Sequence, residues 1–297
     1  MKARIRNPRL RLPAGIAVAL ATSMLAVGQI AIAAGPPPIG LGTAAPFAVL
    51  AGTPAVTNTG LTTITGDLGI SPAAAVTGFP PGTVSGTIHR ADAVALQAKI
   101  DLAAAYTVAA ALPVTATHGT LGGLTLVGGV YNAGGVTLGL TGTLTLDGEN
   151  DPSSVWVFQA TSDLITASSS TVALINGASA CNVFWQVTSS ATLGSGSTFV
   201  GTIMALSSIT MQDSVTVTGR ALARNGQVTL INDSIDTSTC AGAPASSAPT
   251  PSPSLTDVAI SGSERGNPLG TVVFALVLTA MLAALATTGV RTARRSR

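Results

Sequence analysis

The sequence predicts a mainly β protein of stacked or coiled strands with one long α-helix beside them. Short runs of Val, Ile, Leu and Phe alternate with small polar residues, most clearly in 180–236, and Gly, Ser, Asn or Asp interrupts them at near-regular spacing. Period-two patterns with regular interruptions are typical of repeated β-strands. The outward positions carry Thr and Ser rather than the Lys or Glu that normally protects an exposed β-face. Within 45–240, the segment 87–112 departs clearly from this pattern.

The first 34 residues predict an export signal. Five basic residues precede an apolar segment from Ala14 to Ala34, which ends in Ala31-Ile32-Ala33. A basic start, an apolar middle and small residues at the end are the three parts of a secretory signal. We therefore predict a signal peptide at 1–34. Because its apolar part is long, an uncleaved signal anchor is the alternative.

The segment 45–240 is predicted to be one exported domain, long enough to bury a sizeable core. It holds four basic and ten acidic residues, a net charge of −6, because most basic residues of the chain lie near its two ends. Nucleic-acid binding is not expected, since it requires a basic face that neutralises phosphates. The domain contains no G-x-S-x-G motif and no phosphate loop ending in GK[ST], so we expect neither an enzyme nor a bound cofactor.

The exceptional segment 87–112 predicts the long helix. Ala, Leu, Gln and Lys dominate it, and no Gly or Pro interrupts it before Pro113. Apolar residues recur at steps of three and four from Val94 to Ala109, and Thr87 is the predicted N-cap. The small, Ala-rich face would allow this helix to lie close against a flat sheet.

The two cysteines, Cys181 and Cys240, predict one disulfide bond. An even number of cysteines in an exported domain favours pairing, and the alternative is two free thiols. The bond would tie the end of the domain to a strand about 60 residues earlier and stabilise the fold by about 3–4 kcal/mol.

The chain downstream of the domain predicts a membrane anchor. The linker 241–268 is rich in Ala, Pro and Ser, which gives an extended spacer. The segment 269–290 is apolar and uncharged and long enough to span a bilayer as a transmembrane helix. The basic tail 291–297 would remain cytoplasmic, which places the domain outside the cell. No LPxTG motif precedes the span, so a membrane anchor is preferred over covalent attachment to the wall.

Polar clusters in the domain do not have the spacing of a metal site. His89 and His118 lie far apart, with no cysteine near them. The segment 147–151 lacks the spacing of an EF-hand and follows a strand, so a solvated turn is the better interpretation. The bulky residues predicted to lie in the core are Trp156, Phe158, Phe184, Trp185 and Met211.

Three long blocks of the sequence resemble the microbial ice-binding protein family. They are PFAVLAGTPAVTNTGLTTITGDLGISPAAAVTGFPPGTVSGTIHRADAVALQAKIDLAAAY, GGLTLVGGVYNAGGVTLGLTGTLTLDGENDPSSVWVFQATSDLITASSSTVALINGASACNVFWQV and GTIMALSSITMQDSVTVTGRALARNGQVTL. The resemblance runs from about Pro46 to Asp236. It implies a discontinuous right-handed β-helix, triangular in section, with one long α-helix along a side. It also implies ice binding through one flat face of the β-helix.

The same resemblance indicates candidate ice-binding residues. Ice-active members of the family often carry Thr-(Ala/Gly)-x-(Thr/Asn), which 59–62 matches and 195–198 matches with serine substitutions. Thr has a restricted χ1, so a flat array of its hydroxyls and methyls can order water at little entropic cost. The candidates are Thr59, Thr62, Ser195, Ser197, Thr198, Thr210, Thr216 and Thr218. The preference of Thr for strands is the alternative explanation at each position.

The sequence therefore predicts a surface-anchored ice-binding protein. Its partners would be the ice surface with its ordered water and the membrane, and the exported domain would be a monomer. The alternative is a general adhesin or structural envelope protein of the same fold, which charged or bulky residues interrupting the Thr and Ser rows would favour. A carbohydrate-active β-helix enzyme is disfavoured, because such sites gather several charged residues in one groove.

Overall fold

A computed structural model describes residues 35–240. The predicted signal peptide at 1–34, the linker at 241–268, the transmembrane helix at 269–290 and the tail at 291–297 lie outside the described residues. Within the described part, one helix is long and apolar enough to cross a membrane. That helix packs one side against the β-structure, as the core helix of a folded domain does.

The described residues form twenty-two β-strands, one α-helix and three short 3-10 helices. The strands before the helix are β1 (Phe47–Ala51), β2 (Ala55–Thr59), β3 (Thr63–Thr65), β4 (Asp67–Ile70), β5 (Ala75–Thr77), β6 (Thr83–Val84) and β7 (Ile88–Arg90), and the helix is α1 (Ala93–Ala111). The next strands are β8 (Ala116–Thr117), β9 (Thr125–Leu126), β10 (Gly129–Asn132), β11 (Leu138–Leu140), β12 (Thr143–Asp147), β13 (Trp156–Ala160), β14 (Leu164–Thr166) and β15 (Thr171–Ile175). The last are β16 (Val183–Val187), β17 (Ala191–Leu193), β18 (Thr198–Ala205), β19 (Ile209–Met211), β20 (Thr216–Ala223), β21 (Val228–Ile231) and β22 (Ser234–Asp236). The 3-10 helices are Gly42–Ala44, Ala180–Asn182 and Ser238–Cys240.

The strands stack in parallel as successive coils with three faces. The helix-covered face contains β8, β10, β13, β16, the second halves of β18 and β20, β1, β4 and β7. The threonine face contains β11, β14, β17, β19, β21, β2 and β5. The mixed face contains β9, β12, β15, the first halves of β18 and β20, β22, β3 and β6.

Strands β18 and β20 continue without interruption around the edge between the mixed and helix-covered faces. In β18 and β20 the backbone bends at Gly201 and Gly219, whose φ angles are 106° and 147°. A Cβ on Gly219 would lie 2.0 Å from the carbonyl oxygen of Gly201, so only glycine fits between these stacked corners.

The order of the coils along the stack is discontinuous in sequence. The first coil, β1–β3, lies between the last coil, β20–β22, and the coil β4–β6. The helix α1 therefore carries the chain from one end of the stack towards the other, where β8 begins the remaining coils. This confirms the predicted fold class, a discontinuous right-handed β-helix with one long helix alongside.

The helix begins later than predicted. Residues from Ile88 to Arg90 pair with β4 as strand β7, and Asp92 rather than Thr87 is the N-cap, its Oδ1 accepting a hydrogen bond from the Ala95 amide at 2.8 Å. The buried helix positions are mostly alanine, which brings the helix close to the large apolar residues on the helix-covered face. Ile39 and Leu41 belong to the same apolar cluster between the helix and this face.

A continuous apolar core fills the inside of the coils. Tyr131, Phe158, Trp185 and Phe199 form an aromatic stack along the axis, with the Phe158 and Trp185 ring centroids 4.1 Å apart. Every bulky residue predicted to lie in the core is buried. The predicted disulfide between Cys181 and Cys240 is present and joins the second and third 3-10 helices.

Candidate functional site

The threonine face carries an unbroken row of threonines on five consecutive coils. Strand register places Thr77 beside Thr57, Thr57 beside Thr229, Thr229 beside Thr210, and Thr210 beside Thr192. In four of the five strands both neighbours of the threonine are buried, and Thr77 ends its strand after the buried Val76. Since side chains alternate across a strand, the threonines point outwards. With coils about 4.8 Å apart, the row is about 19 Å long.

In the same register, the row continues past the five threonines. Ile165 and Gly139 occupy the next two coils, and Thr120 bridges to Gly139 at the end.

The row is also stiff. The hydroxyl oxygens of Thr57 and Thr229 lie 3.4 Å apart. β-Branching restricts χ1 of each threonine, so the positions of methyl and hydroxyl groups are largely fixed before any ligand arrives.

No charged residue occurs in the seven strands of the threonine face. The outward side chains there are threonines with a few Ala and Ile residues, so the surface combines methyl groups with hydroxyls. A surface of this kind cannot hold a metal ion or perform acid–base catalysis, because both require ionisable ligands or groups. It can hold a neutral, ordered partner against a flat area.

The mixed face carries a second row. Seven hydroxyl residues lie side by side in register: Thr143, Thr171, Thr198, Thr216, Ser234, Thr63 and Thr83. The neighbouring row on this face is less uniform, since it contains Asp236 beside Thr218 and Thr65, and the buried Val200 beside Thr218. The mixed face is therefore a single hydroxyl row with an irregular, partly charged flank.

The candidates predicted from the sequence fall on three parts of this surface. Thr210 lies in the middle of the threonine row, and Thr59 is exposed at the end of β2 on the same face. Thr198 and Thr216 belong to the row on the mixed face, and Thr218 lies in the flank beside it. Ser195 lies at the edge between the two faces, where its hydroxyl donates to Gln212 Oε1 at 3.4 Å.

The remaining two candidates are corrected by the structure. Thr62 and Ser197 are each 1% exposed. The Thr62 hydroxyl donates to Asn58 Oδ1 and accepts from the Asp233 amide, and the Ser197 hydroxyl contacts the carbonyl oxygens of Gly194 and Ala167. Both turn inwards because the chain bends between the faces and leaves backbone groups that need partners. They stabilise the edge and cannot contact a surface.

A buried carboxylate completes this edge. Asp233 is 2% exposed, and its two oxygens accept hydrogen bonds from the amides of Val215 at 2.9 Å and Ile231 at 2.7 Å. Burial raises the pKa of Asp233 to about 7, against the opposing effect of these two donors. The edge between the threonine and mixed faces is thus connected internally by polar side chains, which fixes the two rows relative to each other.

Sequence reasoning missed four of the five threonines in the row: Thr57, Thr77, Thr192 and Thr229. Each is a single Thr between two apolar residues or between an apolar residue and Asn or Gly, a pattern that ordinary strands also show. The signal available in the sequence was the recurrence of this single Thr in several short apolar strands. The register that aligns residues 57, 77, 192 and 229 depends on which coils are neighbours, and this order does not follow the sequence.

The described residues hold no group of three or more His, Cys, Asp or Glu side chains that could bind a metal. His89 Nδ1 lies 2.7 Å from Asp92 Oδ2 at the helix start, and the His118 ring lies beside Tyr131. Both histidines thus have local structural partners.

Fold and surface together define a class: a β-solenoid that presents flat, uncharged arrays of threonine. Comparison with known proteins gives the family. Residues 49–236 match the family profile described as Ice-binding-like, and the chain belongs to this family. The ice-binding protein of Nostoc sp. (strain HG1) is 48% identical over 216 residues, covering 72% of this chain and 79% of the relative.

Solved structures agree with this assignment. The crystal structure of an ice-binding protein from an Antarctic biological consortium is 47% identical, with a TM-score of 0.67, covering 68% of this chain and 92% of that one. The crystal structure of the ice-binding protein from the Antarctic ascomycete Antarctomyces psychrotrophicus is 42% identical, with a TM-score of 0.64, covering 67% of this chain and 98% of that one. These two solved chains therefore consist almost entirely of the shared domain.

Proposed function

We propose that this protein binds ice through the threonine face and thereby inhibits recrystallisation. The observation that carries the proposal is the row of five in-register threonines on a face whose strands hold no charge. Charged groups hold their own hydration shells and would disturb a crystalline water layer, whereas a regular array of methyls and hydroxyls can order it. The relatives named above are themselves called ice-binding proteins, which supports the same conclusion.

The rigidity of the array allows many weak contacts to give a useful binding affinity. Binding a flat crystal gains little per residue, so the entropy lost on ordering each side chain must be small. In this protein the backbone of each coil is hydrogen-bonded to its neighbours, and the threonine χ1 angles are restricted. The array is therefore largely ordered before it meets ice.

The alternative of a general adhesin of the same fold is not favoured. It would be supported by charged or bulky residues interrupting the hydroxyl rows. On the threonine face, no bulky residue separates the five threonines, and Ile165 occupies the next coil after Thr192.

For the whole chain, we propose export by the signal peptide at 1–34 and display outside the cell. The extended linker at 241–268 would separate the domain from a membrane anchor at 269–290. A threonine face held away from the membrane could then bind ice at the cell boundary as a single domain.

The proposal is tested by ice-affinity partition and recrystallisation assays on residues 35–240. We expect the wild-type domain to concentrate in a slowly growing ice front. Thr229→Tyr, in the middle of the row, should remain mostly in the liquid, because the larger ring separates the neighbouring threonines from the crystal. Val108→Tyr is the matched control, since Val108 is 48% exposed on α1, far from the row in the fold. A wild-type domain that stays in the liquid, or a Thr229→Tyr domain that partitions like wild type, would refute the proposal.

A further inference from the structure

A small cavity lies at the edge where the mixed face meets the helix-covered face. Its walls come from the residues just before β1, the turn between β3 and β4, the chain after β22, and Arg220 of β20. Its volume is about 320 Å³, at the lower end of the range for small-molecule sites. The cavity is partly open to solvent, and the surface exposed within it is mainly apolar. The ice-binding function proposed above does not use it.

Arg220 is a buried cation at the wall of this cavity. It follows the bend of β20 at Gly219 and is only 4% exposed. Its Nε donates to the carbonyl oxygen of Ala45 at 2.8 Å, and its Nη1 donates to the hydroxyl of Thr202 at 3.4 Å. A guanidinium has five N–H donors. Two are used in these bonds, and the other three, on Nη1 and Nη2, have no hydrogen-bond partner among the described residues.

No carboxylate neutralises this cation within the part of the chain that the structure describes. The one ion pair there joins His89 and Asp92. Asp67 also lines the cavity, but its carboxylate lies more than 4.0 Å from the guanidinium nitrogens and accepts a hydrogen bond from the Thr87 amide at 2.8 Å. Burial lowers the pKa of Arg220 to about 10, so the guanidinium is charged at neutral pH. Because a buried charge is costly unless it is paired, the cavity favours an anion.

We propose that this cavity binds the carboxylate group of a small organic anion, which pairs with Arg220. The planar guanidinium presents its remaining donors as a fork, and a carboxylate accepts two parallel hydrogen bonds from such a fork. The mainly apolar wall suits a short organic group, and Asp67 disfavours a second negative charge. A bound carboxylate would connect β20 with the chain after β22, next to the disulfide of Cys240 and the start of the linker.

The carboxylate has two sources, a free anion in the medium and the linker of the same chain. The linker starts at residue 241, three residues after Ser238 at the exposed rim of the cavity. It contains two acidic residues, Asp257 and Glu264. Both sources supply the same group to Arg220, and the experiment separates them.

The test measures the melting temperature of the full chain in detergent, with sodium acetate as the probe and sodium chloride at equal concentration as the reference. Acetate at ten times its dissociation constant should raise the melting temperature by about 3–6 °C if it binds only the folded state. Arg220→Gln should lose this rise, and Arg90→Gln, at an exposed arginine on β7, is the matched control and should keep it.

Two further variants keep the test decisive if Arg220→Gln does not fold. Ser238→Phe retains Arg220 and places a bulky ring at the exposed rim, so it should lose the rise. General effects of acetate on stability are the same in every variant, so the rise that belongs to the cavity is the difference between wild type and Ser238→Phe. The double variant Asp257→Asn with Glu264→Gln removes the carboxylates of the linker.

The outcomes separate as follows. A rise in wild type and Arg90→Gln that is absent in Ser238→Phe supports a free carboxylate as the ligand. A rise that is seen only in the linker variant supports the same site, filled in wild type by the linker. If acetate raises the melting temperature of wild type and of the linker variant no more than that of Ser238→Phe, the carboxylate site is refuted. None of these results bears on ice binding, which is tested separately.

Discussion

Substitutions at Thr192 and Thr210 separate the contribution of methyl groups from that of hydroxyls. These residues are neighbours in the threonine row, on adjacent strands β17 and β19. The double variant Thr192→Ser with Thr210→Ser keeps both hydroxyls and removes two methyls. The double variant Thr192→Val with Thr210→Val keeps the shape and the methyls and removes the hydroxyls. Both substitutions remain compatible with a strand.

The expected magnitude follows from the apolar surface lost. Each methyl that becomes buried against a partner contributes about 0.8 kcal/mol. Removing two methyls should cost about 1.6 kcal/mol, or roughly a fifteenfold loss of affinity. The serine side chain also has more rotational freedom than threonine, which adds to the loss. The valine variant should lose less, because the methyl positions and the restricted χ1 are retained.

The assay is ice-affinity partition over a series of protein concentrations, with recrystallisation inhibition as a second readout. A double variant at Val94 and Val108, both changed to Thr on the outer side of α1, is the control and should behave as wild type. The reasoning is refuted if the serine variant retains full affinity while the valine variant loses it. In that case direct hydrogen bonding, and not a methyl-ordered water layer, would dominate.

Three further predictions concern the scaffold. Cys181→Ser with Cys240→Ser opens a loop of 59 residues and should lower the free energy of unfolding by about 4 kcal/mol; urea denaturation measures this, and an unchanged midpoint would contradict it. Gly219→Ala places a methyl group against the carbonyl of Gly201 and should lower the melting temperature far more than Gly123→Ala, where no atom lies within 4 Å, although both glycines have positive φ; equal losses would contradict the close-packing argument. Stability should pass through a minimum near pH 7. Burial raises the pKa of Asp233 from 3.8 to about 7, so the folded state holds an extra proton in that interval and stability falls as the pH rises through it. Burial, and then the Arg224 cation, lower the pKa of Lys99 from 10.5 to about 7, so the folded state holds fewer protons above pH 7 and stability rises again. In urea denaturation at several pH values, Asp233→Asn should remove the fall in stability towards pH 7, and Lys99→Met should remove the rise in stability above pH 7. A fall or rise that persists in the corresponding variant would refute the assignment.

Much of the architecture could be predicted because it depends on local pattern. Alternation of apolar and small polar residues predicts strands, since side chains alternate across a strand. The Ala-rich segment predicts the helix, although three of its first residues form β7 instead, because they pair with β4 about 20 residues earlier in the chain. The cysteine pair was predicted from count and compartment alone, and it is present.

The candidate site was predictable only in part, because a row on a solenoid is a property of neighbouring coils. Thr210 and Thr216 were both identified from the sequence, yet they lie on different faces. The motif at 59–62 suggested two equivalent threonines, whereas Thr59 is exposed and Thr62 is buried in the edge. The motif itself does not distinguish the two threonines, and only the bend of the chain decides which hydroxyl faces out.

By itself, the sequence determined a mainly β chain with one helix, an uncharged strand surface rich in Thr, and membership of a family with a known architecture. Each of these depends on residue type and short-range spacing. The tertiary structure alone decided that β1–β3 lies against β20–β22, which brings Thr57 beside Thr229 across most of the length of the domain. The physical reason is that hydrogen bonds between coils fix the register, and the register, not the sequence interval, aligns hydroxyls into a surface.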